Sequence, residues 1–231
     1  MKYLLQTGRV MEEEKRHITS AIKYSYFMSS YDDLLLSYNA LKSNQRTELI
    51  VPVGSVEFVK RYCSLNDITL PDNISYPSEL TRFLNRDVWS GVYGEVKENE
   101  FCKPKNTKSF TGGVRSDIEE IVNPEEPVWI SNKVSFYAEW RFYILNKKIL
   151  GYSRYDSGDN EAQPSVKTVE EMISLYLSSP VGYSIDVGWV DGKTTLVEVN
   201  DGWSLGYYRW GNMKGEDYVK LITERWKEIL E

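Results

Sequence analysis

The sequence predicts a mixed α/β (α+β) fold in which a small α/β lobe is followed by a larger lobe rich in strands. Strand-like apolar runs alternate with helical patterns up to about residue 85, and extended segments dominate from Arg86 onward. The chain has 231 residues, of which 41% are hydrophobic. This is enough for one large domain, or for two small lobes with a real core.

In the first lobe, the pattern predicts strands at residues 3–6 and 49–53 and helices at about 12–28, 55–64 and 77–84. In the second lobe, it predicts strands at residues 88–93, 100–103, 128–130, 138–145, 148–155, 183–190 and 194–200. Asn146-Lys147 and Asp191-Gly192 are predicted turns between consecutive strands. Helices are predicted at 169–178 and at 216–230, where apolar residues recur every three or four positions.

Composition excludes several classes of function. The formal net charge is -6, from 28 Lys and Arg against 34 Asp and Glu, so general nucleic-acid binding is not expected. His17 is the single histidine, which excludes sites built on several histidines. Cys63 and Cys102 lie far apart and form no CxxC pair, which disfavours zinc and a disulfide framework. Acid–base or metal chemistry must therefore use carboxylates, Asn, Lys, Arg or Tyr.

The N-terminus and the apolar runs predict a cytoplasmic protein that does not insert into membranes. Residues 1–6 turn polar too soon for a signal peptide. No apolar run approaches the roughly 20 residues that a membrane-spanning helix needs. Two buried thiols in a reducing compartment agree with this prediction.

The most informative segment is the predicted hairpin at residues 183–202. Asp186 lies between two apolar residues, so by the two-residue period of a strand it points to the face opposite theirs. Glu198 and Asn200 share one face of the next strand. Three oxygen-bearing side chains on adjacent strands suit a hard cation that holds a polyphosphate, such as Mg²⁺ or alternatively Mn²⁺.

The predicted metal site depends on the length of the loop between the two strands. A two-residue turn at Asp191-Gly192 would pair Asp186 with Val197. The Asp186 carboxylate would then face away from Glu198, so we expect a loop of odd length with a bulge. Under the alternative interpretation, these side chains form the solvated polar face of an ordinary amphipathic hairpin.

Two further segments carry positive charge. Residues 101–114 combine Lys103-Pro104 with more lysines and two glycines, which let backbone N–H groups approach phosphate oxygens. The segment is not a P-loop, and the alternative is a solvated basic turn. Arg141 and Arg154 lie on consecutive predicted strands, where arginines are unfavourable in a core unless they meet anions. The alternative there is a structural cross-strand pair with Glu139.

Together these motifs resemble those of the ATP-grasp carboxylate–amine ligases, over about residues 86–210. In that family, an Asp is followed about a dozen residues later by Glu-x-Asn, and here these are Asp186, Glu198 and Asn200. The likeness is greatest to the branch that includes the ribosomal-protein glutamate ligases and to small relatives in bacteria and phages. It implies the ATP-grasp fold, with two mixed α/β lobes that clasp a nucleotide. The implied domains are a pre-grasp domain at 1–85, a lid-bearing subdomain at 86–127 and a metal-binding subdomain at 128–231.

The resemblance also implies ATP and Mg²⁺ as cofactors and assigns residues to them. The phosphate-binding and lid residues would be Lys103, Lys105, Lys108, Thr111, Gly112 and Gly113. The adenine-binding strand would supply the backbone of Trp129, Ile130 and Ser131, and the next strand would add Glu139 to the nucleotide site. The catalytic arginines would be Arg141 and Arg154, of which Arg154 would bind phosphate or the substrate carboxylate. The metal ligands would be Asp186, Glu198 and Asn200.

The implied reaction joins a small-molecule or peptide carboxylate to an amine, through an acylphosphate, with release of ADP. Two alternatives remain open. One is a nucleotide-binding ATP-grasp protein without ligase activity. The other is an aromatic-rich module that binds carbohydrate or peptide on a stacking platform of Trp203, Tyr207, Tyr208 and Trp210.

The loop at residues 105–114 combines charge, Ser, Thr and two glycines with few apolar anchors, so we predict that it becomes ordered only over a bound nucleotide. Hydrogen exchange of its amides should slow when an ATP analogue and Mg²⁺ are added, because an ordered lid excludes water. Amides of the predicted helix at 216–230 serve as the control and should not change. Equal exchange with and without nucleotide would contradict the lid assignment.

Overall fold

Three β-sheets and several α-helices form the part of the chain that the computed structural model describes, namely residues 2–8, 12–22, 26–37, 50–106, 109–158, 161–208 and 211–231. The strands of the first lobe are β1 (Lys2–Gln6), β2 (Tyr26–Ser29) and β3 (Ile50–Val53). The others are β4 (Val88–Val92), β5 (Glu100–Pro104), β6 (Gly113–Val114), β7 (Pro127–Asn132), β8 (Ala138–Leu145), β9 (Lys148–Arg154), β10 (Gly182–Val190) and β11 (Lys193–Asp201). The main helices are α1 (Glu12–Ile22), α2 (Val56–Leu65), α3 (Val166–Leu175) and α4 (Gly215–Leu230).

The first sheet is parallel, in the order β2-β1-β3. Leu4 and Leu5 of the central strand are fully buried, because a parallel sheet is covered on both faces. α2 follows β3 and begins after Ser55, whose Oγ accepts a hydrogen bond of 3.2 Å from the Phe58 backbone N–H. This lobe therefore has the predicted alternation of strand and helix.

The helix predicted at residues 12–28 is wrong in its second half. α1 ends at Ile22, and Tyr26–Ser29 forms β2 instead, paired in parallel with β1. The aromatic side chains of this run favour a strand, and pairing with β1 satisfies its backbone groups. The partner strand lies far enough along the chain that a local helical pattern does not reveal it.

The other two sheets are antiparallel, in the orders β4-β7-β5-β6 and β11-β10-β8-β9. They contain every strand predicted for the second lobe, with small shifts at the strand ends. β6 was not predicted, because two residues carry no periodicity. The helix predicted at 77–84 is a 3₁₀ helix, Ser78–Phe83. α3 begins before its predicted start because Ser165 caps it, accepting from the Thr168 N–H at 3.2 Å.

α4 connects the C-terminal part of the chain to the N-terminal lobe. Trp226 is buried in the same apolar cluster as Leu5 and Phe58, and the Tyr3 hydroxyl shares a hydrogen bond of 2.7 Å with Thr223 Oγ1. The apolar core of the N-terminal lobe therefore contains residues from both sides of the predicted domain boundary between residues 85 and 86. None of the helices in the described ranges is long and apolar enough to cross a membrane.

Both predicted turns have two residues. Asn146-Lys147 has φ values of 50° and 62°, and Asp191-Gly192 has values of 49° and 74°. These left-handed values are those of a tight type I′ hairpin turn. Because Val190 pairs with Lys193, the second loop is not of the odd length that we expected.

A one-residue bulge in β11 supplies the offset that the turn does not. Val187 pairs with Leu196. The next pair joins Asp186 to Glu198, so Val197 is an extra residue on its strand. The requirement for an odd loop was therefore wrong, because a bulge within the strand shifts the register equally well.

Both cysteines are buried, Cys63 on α2 and Cys102 on β5. Burial raises the pKa of the Cys63 thiol to about 12 and that of Cys102 to about 11. The thiolate is the reactive species, so we expect neither cysteine to react with an aromatic disulfide reagent in the native protein at neutral pH. Both should react after unfolding in guanidinium, which is the internal control. Rapid labelling of the native protein would contradict this description of the core.

Candidate nucleotide and metal site

A cavity of about 720 Å³ lies between the two antiparallel sheets. Its lining includes seven of the residues predicted for the site: Lys103, Thr111, Gly112, Ser131, Glu139, Glu198 and Asn200. The volume falls within the roughly 300–1,000 Å³ that is typical of small-molecule and cofactor sites. The cavity is therefore large enough for a nucleotide.

Asp186, Glu198 and Asn200 converge beside this cavity. The Asn200 amide nitrogen lies 3.1 Å from Asp186 Oδ2 and 3.1 Å from Glu198 Oε1. The bulge in β11 sets this arrangement, because it places Glu198 opposite Asp186. The structure thus brings together the three side chains that the sequence assigns to a metal.

Two cations balance the charge of the two carboxylates. Arg141 on β8 donates from Nε to Asp186 Oδ1 at 2.8 Å and from Nη2 to Oδ2 at 2.6 Å, and both side chains are buried. Lys103 on β5 donates to Glu198 Oε2. Burial raises the pKa of Asp186, and Arg141 partly offsets this effect. Burial also opposes ionisation of Glu198, but Lys103 together with Arg141 and Asn200 outweighs this effect, and the pKa of Glu198 is about 2.

The donor set fits a Mg²⁺ ion. Two carboxylates and an amide oxygen are hard oxygen donors, and the Asn200 amide can turn to present Oδ1. Within the described ranges, no group of three or more His, Cys, Asp or Glu side chains could hold a metal ion. Phosphate oxygens and water would therefore complete the coordination, as they commonly do for Mg²⁺.

The predicted lid residues lie next to Lys103. A Cβ on Gly112 would come within 2.8 Å of Lys103 Cβ, so glycine allows the lid to approach the lysine-bearing strand closely. The Thr111 backbone N–H donates to Glu120 Oε1 at 3.2 Å. Gly113 lies in β6 and pairs with β5. Thr111, Gly112 and Glu120 line the cavity on this side.

The two other candidate lysines are not described at the cavity. Lys105 Nζ lies 4.7 Å from the centroid of the Trp129 ring and donates to Ser90 Oγ at 3.2 Å. Lys108 lies outside the described residues. Lys103 is therefore the candidate with a described position beside the carboxylates, and its contact with phosphate stays a prediction.

The predicted adenine-binding strand reaches the cavity at its end. β7 lies between β4 and β5, so the backbone groups of Trp129 and Ile130 take part in the sheet. Ser131 lines the cavity, as do Asn132 and Val134 beyond it. We therefore expect an adenine ring to meet the backbone from Ser131 onward, rather than the middle of the strand.

The second strand arginine, Arg154, pairs with a carboxylate outside the cavity lining. Its Nε and Nη2 donate to Asp156 at 2.7 and 2.8 Å, and this contact lowers the pKa of Asp156 to about 2. Glu139 does line the cavity and accepts a hydrogen bond of 2.7 Å from Tyr155. Burial raises the pKa of Glu139. The roles of Arg154 and Glu139 toward phosphate or nucleotide stay predictions.

The aromatic residues considered as a stacking platform are mostly packed where the structure describes them. Tyr207 is buried in the core of the N-terminal lobe, and Trp203 packs against the same cluster. Tyr208 stacks on Tyr155 with ring centroids 5.0 Å apart. Trp210 lies outside the described residues. These positions favour packing over an open binding surface.

Tyr76 and Arg86 are among the cavity-lining residues that sequence reasoning missed. The Tyr76 ring lies 4.7 Å from Lys103 Nζ, and Arg86 binds backbone carbonyls of β11. Both occur near the predicted lobe boundary, in or beside a Pro-containing link. A single Tyr and a single Arg there carry no spacing signal that would have found them.

A second cavity, of about 260 Å³, adjoins the first and shares Asn73 and Asn200 with it. Its lining includes Lys60 of α2 and Ser204, which follows β11. This cavity therefore lies between the N-terminal lobe and the convergent polar cluster. It offers space for a molecule next to a nucleotide.

Comparison with solved structures identifies the fold. The chain is similar to D-alanine–D-alanine ligase from Bacillus anthracis complexed with ATP, with a TM-score of 0.51 and 13% identity over 99% of this chain and 98% of that one. It is also similar to a RimK domain protein ATP-grasp from Sphaerobacter thermophilus (TM-score 0.52, 10% identity, 100% of both chains). A third similar structure is the ATP-grasp ligase PsnB complexed with minimal precursor (TM-score 0.50, 12% identity, 96% of this chain and 98% of that one). These likenesses define an ATP-grasp fold.

The family comparison is more specific. Residues 83–220 match the family described as ATP-grasp domain, R2K clade family 2. This match covers more than half of the chain, so the protein belongs to that family. No curated protein sequence matches the chain. The predicted ATP-grasp family and fold are therefore confirmed.

Lys103→Ala should weaken ATP binding by roughly 1.5–3 kcal/mol, the range for a hydrogen bond to a charged group. Adenosine lacks phosphates, so its binding should barely change. Lys148→Ala, at an exposed position on β9, is the matched control and should bind ATP like the parent. Isothermal calorimetry measures all three affinities. Equal ATP affinity for Lys103→Ala and the parent would remove Lys103 from the site, and Lys105 and Lys108 would be tested next.

Proposed function

We propose that the protein is an ATP- and Mg²⁺-dependent ligase that joins a carboxylate to an amine and releases ADP and phosphate. The observation that carries this proposal is the meeting of Asp186, Glu198 and Asn200 with Lys103 and Arg141 beside a cavity of nucleotide size. Acidic oxygen donors with a lysine and an arginine are the groups that phosphoryl transfer requires. The family to which the chain belongs supports the same interpretation.

In the proposed reaction, a carboxylate oxygen of the substrate attacks the γ-phosphorus of ATP, and the bond to the ADP oxygen breaks. An amine nitrogen then attacks the acyl carbon of the acylphosphate. Phosphate leaves, the nitrogen loses a proton, and an amide is formed. Neither step needs a histidine or cysteine nucleophile, in agreement with the single histidine and the two buried thiols.

The residues of the chain would act mainly by positioning and charge. Lys103 would hold the phosphates, while Asp186, Glu198 and Asn200 would hold Mg²⁺. When bound, Mg²⁺ supplies positive charge to the phosphate oxygens during transfer. Arg141 would fix the orientation of Asp186 through its two hydrogen bonds. Thr111, Gly112 and Gly113 would exclude water from the acylphosphate.

The cavity of about 260 Å³ supports a place for the second reactant. It adjoins Asn200, so a carboxylate entering from this side would approach the terminal phosphate of a nucleotide in the larger cavity. Two of the structurally similar proteins are a D-alanine–D-alanine ligase complexed with ATP and an ATP-grasp ligase complexed with minimal precursor. We accordingly propose amino acids and peptides as the first carboxylates to test.

Trapping the acylphosphate tests the reaction without a known amine. Hydroxylamine replaces the amine, pools of amino acids and short peptides supply carboxylates, and the hydroxamate is detected by its iron(III) colour. A ligase gives a hydroxamate together with ADP, both dependent on Mg²⁺. Nucleotide binding with neither product from any pool would favour the alternative of an ATP-grasp protein that binds without ligating.

Glu198→Gln should abolish turnover while leaving the fold intact, because it removes one charge from the Mg²⁺ site and changes little volume. Glu170→Gln, on the exposed face of α3, is the control and should keep parental activity. The measurement is ADP release with a carboxylate found by trapping, with circular dichroism of both variants as the check of folding. Near-parental turnover of Glu198→Gln would overturn the metal assignment.

A further inference from the structure

We propose that Arg86 is a positioning residue for the metal site, because it holds the bulge in β11 that turns Glu198 toward Asp186. The inference rests on the proposed function, in which Glu198 binds Mg²⁺. Arg86 itself contacts neither carboxylate in the hydrogen bonds that the structure describes. Its effect on the site would pass through the backbone of β11.

Arg86 binds the backbone at the bulge. Its Nη1 donates to the carbonyl of Leu196 and its Nη2 to the carbonyl of Val197, both at 2.9 Å. Nη1 also donates to the carbonyl of Leu84 at 3.1 Å, which ties the bulge to the segment before β4. Among the strands in the described ranges, β11 lies at the edge of its sheet, with a neighbour on one side only. The planar fork of arginine can satisfy two successive carbonyls at once, which the single ammonium of lysine cannot do in the same geometry.

The guanidinium of Arg86 is itself held in place by aromatic rings. It lies 5.6 Å from the centroid of the Phe136 ring and 5.9 Å from that of Tyr76. Phe136 in turn packs on Gly188 of β10, where a Cβ would come within 2.2 Å of its ring. Arg86 is therefore fixed against the same hairpin whose bulge it binds.

A second contact holds β11 on the other side of Glu198. The Val199 backbone N–H donates to the Ser75 carbonyl at 2.8 Å. Arg86 therefore binds the edge of β11 at residues 196 and 197, just before Glu198. Ser75 binds it at residue 199, just after Glu198. The link between the lobes thus supplies the hydrogen bonds that a further strand would otherwise make.

The bulged register needs such support. With the two-residue turn at Asp191-Gly192, a regular ladder would pair Asp186 with Val197 and turn the Glu198 carboxylate to the other face. Arg86 favours the bulged arrangement because it binds the two carbonyls that the bulge presents. Loss of Arg86 should therefore disorganise the metal ligands more than the nucleotide cavity.

The test compares Arg86→Lys and Arg86→Gln with Arg82→Gln, a nearby arginine that pairs with Glu171 and contacts no residue of β11 in the described hydrogen bonds. Calorimetry measures the affinity for a non-hydrolysable ATP analogue with and without Mg²⁺. We expect the gain in affinity that Mg²⁺ gives to fall by about 10–100-fold in both Arg86 variants, the range for partners that orient metal ligands. Arg86 also lines the nucleotide cavity, so affinity without Mg²⁺ is expected to fall too, but by less than affinity with Mg²⁺, because the guanidinium binds backbone carbonyls of β11. Arg82→Gln should match the parent in both conditions.

A deletion provides the rescue. Removing Val197 takes out the extra residue, so a regular ladder then pairs Asp186 with Glu198 without any bulge. Arg86→Gln combined with deletion of Val197 should therefore recover the Mg²⁺-dependent gain that Arg86→Gln alone loses. A merely stabilising role of Arg86 predicts no such recovery, and this combined variant also decides the matter if Arg86→Gln alone folds poorly.

Three results would overturn the proposal: an unchanged Mg²⁺-dependent gain in the Arg86 variants, an equal loss of affinity with and without Mg²⁺, or no rescue by the deletion. An equal loss would mean that Arg86 contacts the nucleotide directly. A parent protein without any Mg²⁺-dependent gain would instead refute the metal site of the proposed function. The Mg²⁺-dependent gain of the parent protein therefore distinguishes failure of the Arg86 proposal from failure of the proposed metal site.

Discussion

Two carboxylates that face each other across β10 and β11 require positive charge, and much of the site follows from how the chain supplies it. Arg141 comes from the same sheet and holds Asp186. Lys103 comes from the other antiparallel sheet and reaches Glu198 across the cavity. The ion pair of Lys103 with Glu198 therefore links the two antiparallel sheets. A phosphate that binds Lys103 competes with Glu198, and a cation at Glu198 replaces the charge lost, so we expect nucleotide and metal to bind in concert.

The sequence reveals those parts of the site that depend on spacing along one strand pair. Strand alternation places Glu198 and Asn200 on one face of their strand, and the resemblance to ATP-grasp ligases then assigns them to a metal with Asp186. The ends of β8 agree with the predicted strand at residues 138–145. The bulge at Val197 could not be predicted, since its register depends on groups more than a hundred residues earlier, at Arg86 and Ser75.

Sequence patterns also do not predict elements that pair with a distant segment or elements that are very short. The local pattern predicts a helix over the residues of β2, because the pairing of β2 with β1 is a tertiary interaction that the pattern does not contain. Tyr76 and Arg86 were passed over because a link between lobes shows no periodicity, although both line the cavity. The link is thus more than a connection, as Tyr76 packs near Lys103 and Ser75 binds β11. The predicted roles of residues at the nucleotide site come from the family resemblance, whereas the residues that line the cavity are known from the structure.

The position of α4 also decides which parts of this chain can exist separately. The segment that matches the family ends at residue 220, yet Trp226 lies beyond it and is buried with Leu5 and Phe58 of the N-terminal lobe. A fragment beginning near residue 83 would leave the apolar face of α4 in water, and one lacking α4 would uncover the N-terminal sheet. Because this apolar cluster is shared, we expect the N-terminal lobe and the rest of the chain to fold as one unit.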